Sequence, residues 1–214
     1  MVDFCAGLGG PARYLAHRYG ADVTGIELTP TRVKGAEELT RLVGLQNSVR
    51  VIEGNVMRVP LPDASADVAV SQEALLHVPD KERALAEAFR ILKPGGRIAF
   101  TDWVAHRPLS DADKKLMWQG MSVADLYNPQ TYAELIKKVG FTVNSEDLTA
   151  DWASFSSSGS PCTESFERRR NRLVHLLVMM RFMKATCVSL IWSTKLHSAV
   201  GALQARNQSN LSSG

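Results

Sequence analysis

From residue 1 to 148, short apolar runs alternate with longer stretches of helical period. Val2–Cys5 runs straight into glycines. Asp22–Leu28 (DVTGIEL), Val49–Glu53 (VRVIE), Asp67–Ser71 (DVAVS) and Arg97–Trp103 (RIAFTDW) are rich in β-branched and aromatic residues and bounded by Gly, Pro or Asp, which predicts strands. Between them the sequence predicts helices with recognisable ends. Pro11–Tyr19 follows the glycines. Thr29 caps a second helix with Pro30 at its first position, Val33, Ala36, Leu39 and Val43 as its apolar stripe and Gly44 as its stop. Asp80 caps a third, with Leu85, Phe89 and Leu92 facing inward and Pro94-Gly95-Gly96 ending it. Asn128-Pro129 opens another, with Leu135 and Val139 inward and Gly140 as its stop. Phe141–Leu148 reads as a sixth strand. Strands alternating with helices imply right-handed crossovers and a parallel sheet, an α/β fold.

The pattern changes after Trp152. A Ser-rich link (SFSSSGSPCTES) leads to a basic, apolar-sided stretch from Glu164 to Lys184 that reads as helix. Ala199–Arg206 reads as a last strand, and NQSNLSSG is a polar tail. The chain therefore divides into a core, residues 1–152, and a divergent C-terminal segment, residues 153–214.

With 214 residues, 45% hydrophobic and 22% charged, the composition is ordinary for a folded domain. A net charge of +3 is too weak to argue for a nucleic-acid partner. The cysteines, Cys5, Cys162 and Cys187, show neither disulfide-framework nor metal-ligand spacing, which suits a reducing, cytoplasmic setting. The most hydrophobic stretch, Leu173 to Trp192, carries Arg181 and Lys184, each costing ~2.5–3.5 kcal/mol at a bilayer centre, so no integral membrane segment is expected. MVDFCAGLGG has no basic leader pattern and opens inside a core strand, which reads as an N-terminally truncated core.

The first chemistry lies in Asp3-Phe-Cys-Ala-Gly7-Leu-Gly9-Gly10, between a strand and a helix. Glycines let backbone approach a ligand, and a helix N-terminus offers free N–H groups. Glu27 ends the second strand, where a carboxylate can accept both hydroxyls of a ribose. Two ligands fit. Gly7-Leu-Gly9-Gly-Pro-Ala12 satisfies the dinucleotide pattern G-x-G-x-x-A, and S-adenosylmethionine would lie along the same loop.

The ordered set DFCAGLGG, GIE, EGNV, SQEALLHVPD and LKPGGRIAFTD resembles the class I S-adenosylmethionine-dependent methyltransferases, in the small-molecule branch of sarcosine/dimethylglycine, phosphobase and quinone methyltransferases. The resemblance covers residues 2–152 and fades beyond. It implies a Rossmann-like, doubly wound, seven-stranded and mostly parallel sheet with an antiparallel last strand, which would be Ala199–Arg206. It also implies S-adenosylmethionine as cofactor. Asp3 would order the loop near the cofactor's amino group, and Cys5, Gly7 and Gly9 would fill the three glycine positions, Cys5 departing from the usual Gly and crowding the methionine part. Glu27 would hold the ribose, Leu28 would lie beside the adenine, Asn55 would meet the adenine amino group, Val56 would offer its N–H to the ring, and Gln72 would lie beneath the cofactor. In this family a helical cover precedes the first strand, and the phosphobase enzymes place a catalytic Tyr there; this chain shows neither.

Methyl transfer needs a nucleophile aligned with the methyl carbon at ~3–3.5 Å. It needs no metal, and no metal-ligand cluster stands out. Glu73 and His77 follow the fourth strand, at the edge where open α/β sheets bind ligands. If Gln72–Val78 forms a helical turn, they share a face: Glu73 would attract a cationic amine and His77 would take a proton. The resembling phosphobase enzymes turn the matching acid and His toward the acceptor. Asp102 and Trp103 are further pocket candidates, and Arg13 is a candidate for the cofactor carboxylate. The expected activity is methyl transfer to a small-molecule acceptor, an amine of the sarcosine/dimethylglycine type. Alternatives are a quinone or sterol C- or O-methyltransferase, an inactive cofactor-binding fragment, and a nicotinamide-dependent oxidoreductase. The chain shows no Tyr-x-x-x-Lys pair or hydride-acceptor domain for the last.

Overall fold

The computed structural model describes residues 1–148 and, by backbone alone, 186–192. The order is β1 (Val2–Phe4), α1 (Gly10–Tyr19), β2 (Val23–Glu27), α2 (Pro30–Leu42), β3 (Val49–Glu53), β4 (Ala66–Gln72), a 3₁₀ turn (Leu75–His77), α3 (Lys81–Ile91), β5 (Leu92–Ala105), α4 (Asp111–Met121), α5 (Pro129–Val139), β6 (Asn144–Asp147) and β7 (Thr186–Trp192). Five parallel strands run β3-β2-β1-β4-β5. The strand order reverses between β1 and β4, which opens a crevice at their C-terminal ends.

Alternation along the strands feeds a core on each face. Phe4, Ala69, Ile98 and Phe100 face α3 and α5, where Leu85, Ala88, Ile91, Tyr132 and Ile136 meet them. On the other face small residues dominate. Ala12 and Ala16 of α1 pack near Val23 and Val49, and Ala36 of α2 packs on Ala6 and Val51. That contact is so close that a Cβ on Gly25 would stand 2.6 Å from the Ala6 Cβ.

Several ends match the sequence pattern. Asp80 accepts from Arg83 N at 2.9 Å and Asn128 from Thr131 N at 2.8 Å. Gly140, at φ 115°, stops α5. Thr29 precedes α2 but makes no side-chain cap. The apolar stripe assigned to α2 is displaced: Ala36 and Thr40 are buried, while Leu39 is 37% and Val43 59% exposed. The small Ala36 brings the helix onto the sheet, and this rotation leaves the larger residues in water. On α3, Phe89 is half exposed and sets its ring edge-on to Phe141, while Ala84, Ala88 and Ile91 turn inward. Pro94-Gly95-Gly96 does not follow the helix as a separate turn. Leu92 already pairs with Ala66, and pairing resumes at Val68 with Arg97, so Lys93–Gly96 bulges out of β5. A Cβ on Gly96 would meet Lys93 O at 2.8 Å.

Beyond β5, β7 pairs antiparallel with both β5 and β6. The expected strand at 199–206 and the expected helix at 164–184 lie outside the described residues, as does most of the segment 153–214. Among the described residues no helix is long and apolar enough to cross a membrane.

Candidate functional site

The loop after β1 is built from left-handed backbone: φ is 59° at Cys5, 55° at Gly7 and 73° at Gly9. Only glycine takes such angles without cost. Gly9 N–H bonds back to Ala6 O at 2.8 Å and α1 starts at Gly10, so the loop ends against a helix N-terminus. Cys5 pays that conformational cost with its side chain packed on the main core rather than left loose in the loop. Burial, then the nearby carboxylates, push its thiol up to about 12, so it remains protonated.

Glu27 straps this loop to the end of β2. One carboxylate oxygen accepts Gly7 N–H and the other Thr29 N–H, both at 2.9 Å, with Arg32 3.8 Å away. Glu27 is 4% exposed. Each oxygen has a second lone pair, which leaves room for a diol. Leu28, next in the chain, is 67% exposed and offers an apolar face beside that carboxylate. Asp3 is 1% exposed, and one of its oxygens has no hydrogen-bond partner. Burial raises its pKa to about 7, with the charge of Glu27 adding to the effect. Asp3 lines a cavity of about 580 Å³ with Gly10, Pro11, Tyr14, Ser71 and Gln72, a volume within the ~300–1,000 Å³ range of small-ligand sites. A buried acid lacking a donor, beside a second buried acid, suits a cation.

Asn55 and Val56 stand beyond β3. The Asn55 side-chain oxygen accepts Met57 N–H at 2.8 Å within its own turn, and Val56 is buried in the core. The Asn55 oxygen keeps one lone pair for a further donor. Arg13 does not point at the cavity. Its Nη1 donates to Leu8 O at 2.6 Å and lies 3.4 Å from Thr40 Oγ1, tying the loop to α2.

At the end of β4, Glu73 has φ 48° and bonds through its N–H to Thr101 O at 2.8 Å. Its half-buried carboxyl is pushed up by burial, offset by a hydrogen bond from Trp103. The turn that follows is a single 3₁₀ turn, Leu75–His77, and begins after Glu73. The anticipated i, i+4 α-helical face of Glu73 and His77 therefore does not form, because left-handed Glu73 cannot enter a helix. His77 is exposed, with Nδ1 3.1 Å from Ser122 O. A carbonyl only accepts, so Nδ1 carries the proton in that bond, and in the neutral ring the lone pair is on Nε2.

Asp102 is fully buried behind this turn, bonded to Leu76 N–H and the Tyr132 hydroxyl. Trp103 packs with Leu76, Met117 and Leu126, its indole reaching Glu73. Sequence reasoning missed Tyr14 on the cavity wall, the buried Thr101 hydroxyl that lacks a partner, and buried Lys81. Lys81 sits in a charged helix start that reads as solvated. The i+4 ladder Asn128, Tyr132, Ile136 could have revealed Tyr132. Among the described residues no group of three or more His, Cys, Asp or Glu could hold a metal ion.

A family model described as "Methyltransferase domain" matches residues 2–100, from β1 into β5. The sarcosine/dimethylglycine N-methyltransferase of Halorhodospira halochloris is 29% identical over 82% of this chain and 68% of its own length. The 24-methylenesterol C-methyltransferase 3 of Arabidopsis thaliana is 34% identical over 68% of this chain and 42% of its own. The phosphoethanolamine N-methyltransferase 2 of Haemonchus contortus, solved with S-adenosyl-L-methionine, superposes with a TM-score of 0.74 at 21% identity, over 89% of this chain and 47% of that one. The chain spans less than half the length of several curated relatives it matches. With the glycine loop, the acid ending β2 and the β3-β2-β1-β4-β5 order in place, residues 2–100 form a methyltransferase domain of the class I S-adenosylmethionine-dependent type.

Proposed function

We propose that this protein moves the methyl group of S-adenosylmethionine to a small-molecule acceptor, an amine nitrogen of the sarcosine/dimethylglycine type. The observation that carries the cofactor half is Asp3: a carboxyl 1% exposed, with an unpartnered oxygen, on the wall of the cavity beside the Glu27-strapped loop. The cofactor supplies an activated methyl on a sulfonium. Asp3 and the loop would hold its amino-acid end, Glu27 its ribose and Leu28 its adenine, with Asn55, Val56 and Gln72 completing the surround and Cys5, Gly7 and Gly9 shaping the loop.

At the acceptor end, Glu73 supplies negative charge that draws in a methylammonium. Such a cation has no lone pair until it loses a proton, and His77 would take that proton through Nε2; the engagement of Nδ1 with Ser122 O supports this reading. The amine-acting relative supports an amine, and the sterol relative supports a second reading, a C-methyltransferase. The antiparallel pairing of β7 between β5 and β6 supports a complete seven-stranded sheet of the mostly parallel kind. The test is calorimetry with S-adenosylmethionine, followed by labelled methyl transfer to sarcosine, phosphoethanolamine, a quinone and a sterol. Saturable heat and label on sarcosine are expected. No heat from folded protein overturns the cofactor assignment, and label on the sterol alone selects the second reading.

A further inference from the structure

The turn bearing Glu73 and His77 has one 3₁₀ turn and no helix of its own to hold it. Polar groups buried behind it do so. Asp102 on β5 accepts Leu76 N–H at 3.0 Å with one oxygen and the Tyr132 hydroxyl at 2.7 Å with the other. Lys81, at the start of α3, donates to Val78 O at 3.1 Å and Asp125 O at 3.0 Å, its ammonium 5.1 Å from the Tyr127 ring centroid. Asp102, Tyr132 and Lys81 are all wholly buried. Two further bonds complete the set: Ala124 N–H to Leu76 O at 2.9 Å and Ala105 N–H to Tyr127 O at 3.0 Å. Lys81 thus ties the turn after β4 to the segment after α4, which carries the Ser122 carbonyl facing His77, while Asp102 ties the same turn to α5.

Leu75, Leu76, Val123 and Leu126 are buried here too, so apolar packing was available to seat these segments. Burying a carboxyl and an ammonium instead is costly unless each finds directed partners, and directed partners fix one arrangement where packing tolerates several. We propose that Asp102 is a positioning residue of the acceptor site: through Leu76 N–H, and with Tyr132 and Lys81, it sets where Glu73 and His77 stand. The proposal deepens the methyl-transfer reading and rests on it for the catalytic readout, while the seating of the turn is measurable without turnover.

The test compares the wild-type chain with Asp102→Asn and Tyr132→Phe. Asn keeps the size but turns an N–H₂ toward one of the two donors; Phe removes a single donor and leaves the Leu76 bond. Amide exchange at Leu76 and Ala124, affinity for S-adenosylmethionine by calorimetry, and labelled methyl transfer to sarcosine are measured on each. Asp102→Asn is expected to speed Leu76 exchange at least 10-fold and lower kcat/KM at least 10-fold, mostly through kcat, with cofactor affinity within twofold. Tyr132→Phe is expected to move both in the same sense by at least threefold, and it carries the test if the Asn variant does not fold. Unchanged Leu76 exchange and kcat/KM in folded variants overturn the proposal. So does a loss of cofactor affinity in step with kcat/KM and faster exchange along the whole chain, which marks general destabilisation. If wild type transfers no label to sarcosine, the amine reading falls and the Leu76 and Ala124 exchange rates alone decide the positioning role.

Discussion

Asp3 shows how one buried carboxyl couples protonation to ligand binding. Held near pKa 7 by burial and lacking a donor on one oxygen, it is about half protonated at neutral pH without ligand. A cationic group set against it favours the carboxylate, so its pKa falls on binding. Binding of S-adenosylmethionine at pH 7 should therefore release a fraction of a proton and tighten as pH rises from 6 to 7.5. Calorimetry at pH 7 in two buffers of different ionisation heat checks this, and Asp3→Asn should abolish the release. Glu27 acts differently, because it both straps the loop and keeps lone pairs for a ligand. Glu27→Ala should weaken the cofactor at least 10-fold, and equal affinity in wild type and variant would refute its role. Glu27 could be picked out from the sequence by its place at a strand end, and Asp3 through the resemblance of the glycine loop. What spacing could not reveal was the partner of each. Arg13, a candidate for the cofactor carboxylate, is instead spent on Leu8 O, and that depends on the fold bringing α1 and α2 together.

The elements were legible where local chemistry decides them. Asp80 and Asn128 cap as their side chains dictate, and Gly140 ends α5 with a positive φ. Asn128→Ala should lower stability by about 1 kcal/mol, read as a lower urea midpoint at unchanged slope. Legibility failed where packing decides. The α2 stripe was chosen by hydrophobicity, yet contact with the sheet selects Ala36 for its small size and strands Leu39 and Val43 in solvent. The Glu73–His77 turn was given helical spacing, yet left-handed Glu73 and the bond from Leu76 N–H to Asp102 impose a 3₁₀ turn. The close fit of small residues also gives β2 a sharp weakness. In Gly25→Ala the new methyl would lie 2.6 Å from the Ala6 Cβ and 3.1 Å from Val51, backed by two strands and a helix. Overpacking of this kind costs ~1–3 kcal/mol, which chemical denaturation measures directly.

At the scale of the whole molecule, the ionisable groups pull stability in opposite directions along the pH axis. Asp3 and Asp102, with folded pKa values of about 7 and about 6, bind protons more tightly folded than unfolded. Their contribution is complete below the ordinary aspartate pKa of ~3.9 and is lost as pH rises through 6 and 7. Glu87 is held low first by its hydrogen bond from Arg90, with Val59 N–H assisting, so its contribution is present above the ordinary glutamate value and disappears in acid. The ligand-free protein should therefore have its highest Tm near pH 5 and a lower one at pH 8. A saturating cofactor stabilises by mass action, ~2.7 kcal/mol at 100 times Kd. With its cation set against buried, ionised Asp3 as proposed, its Tm shift at one fixed concentration should be larger at pH 8 than at pH 5. Thermal unfolding at both pH values, with and without S-adenosylmethionine, tests this. Equal shifts at both would mean that the cofactor's charge does not meet Asp3, and the ligand would then have to lie elsewhere along the crevice.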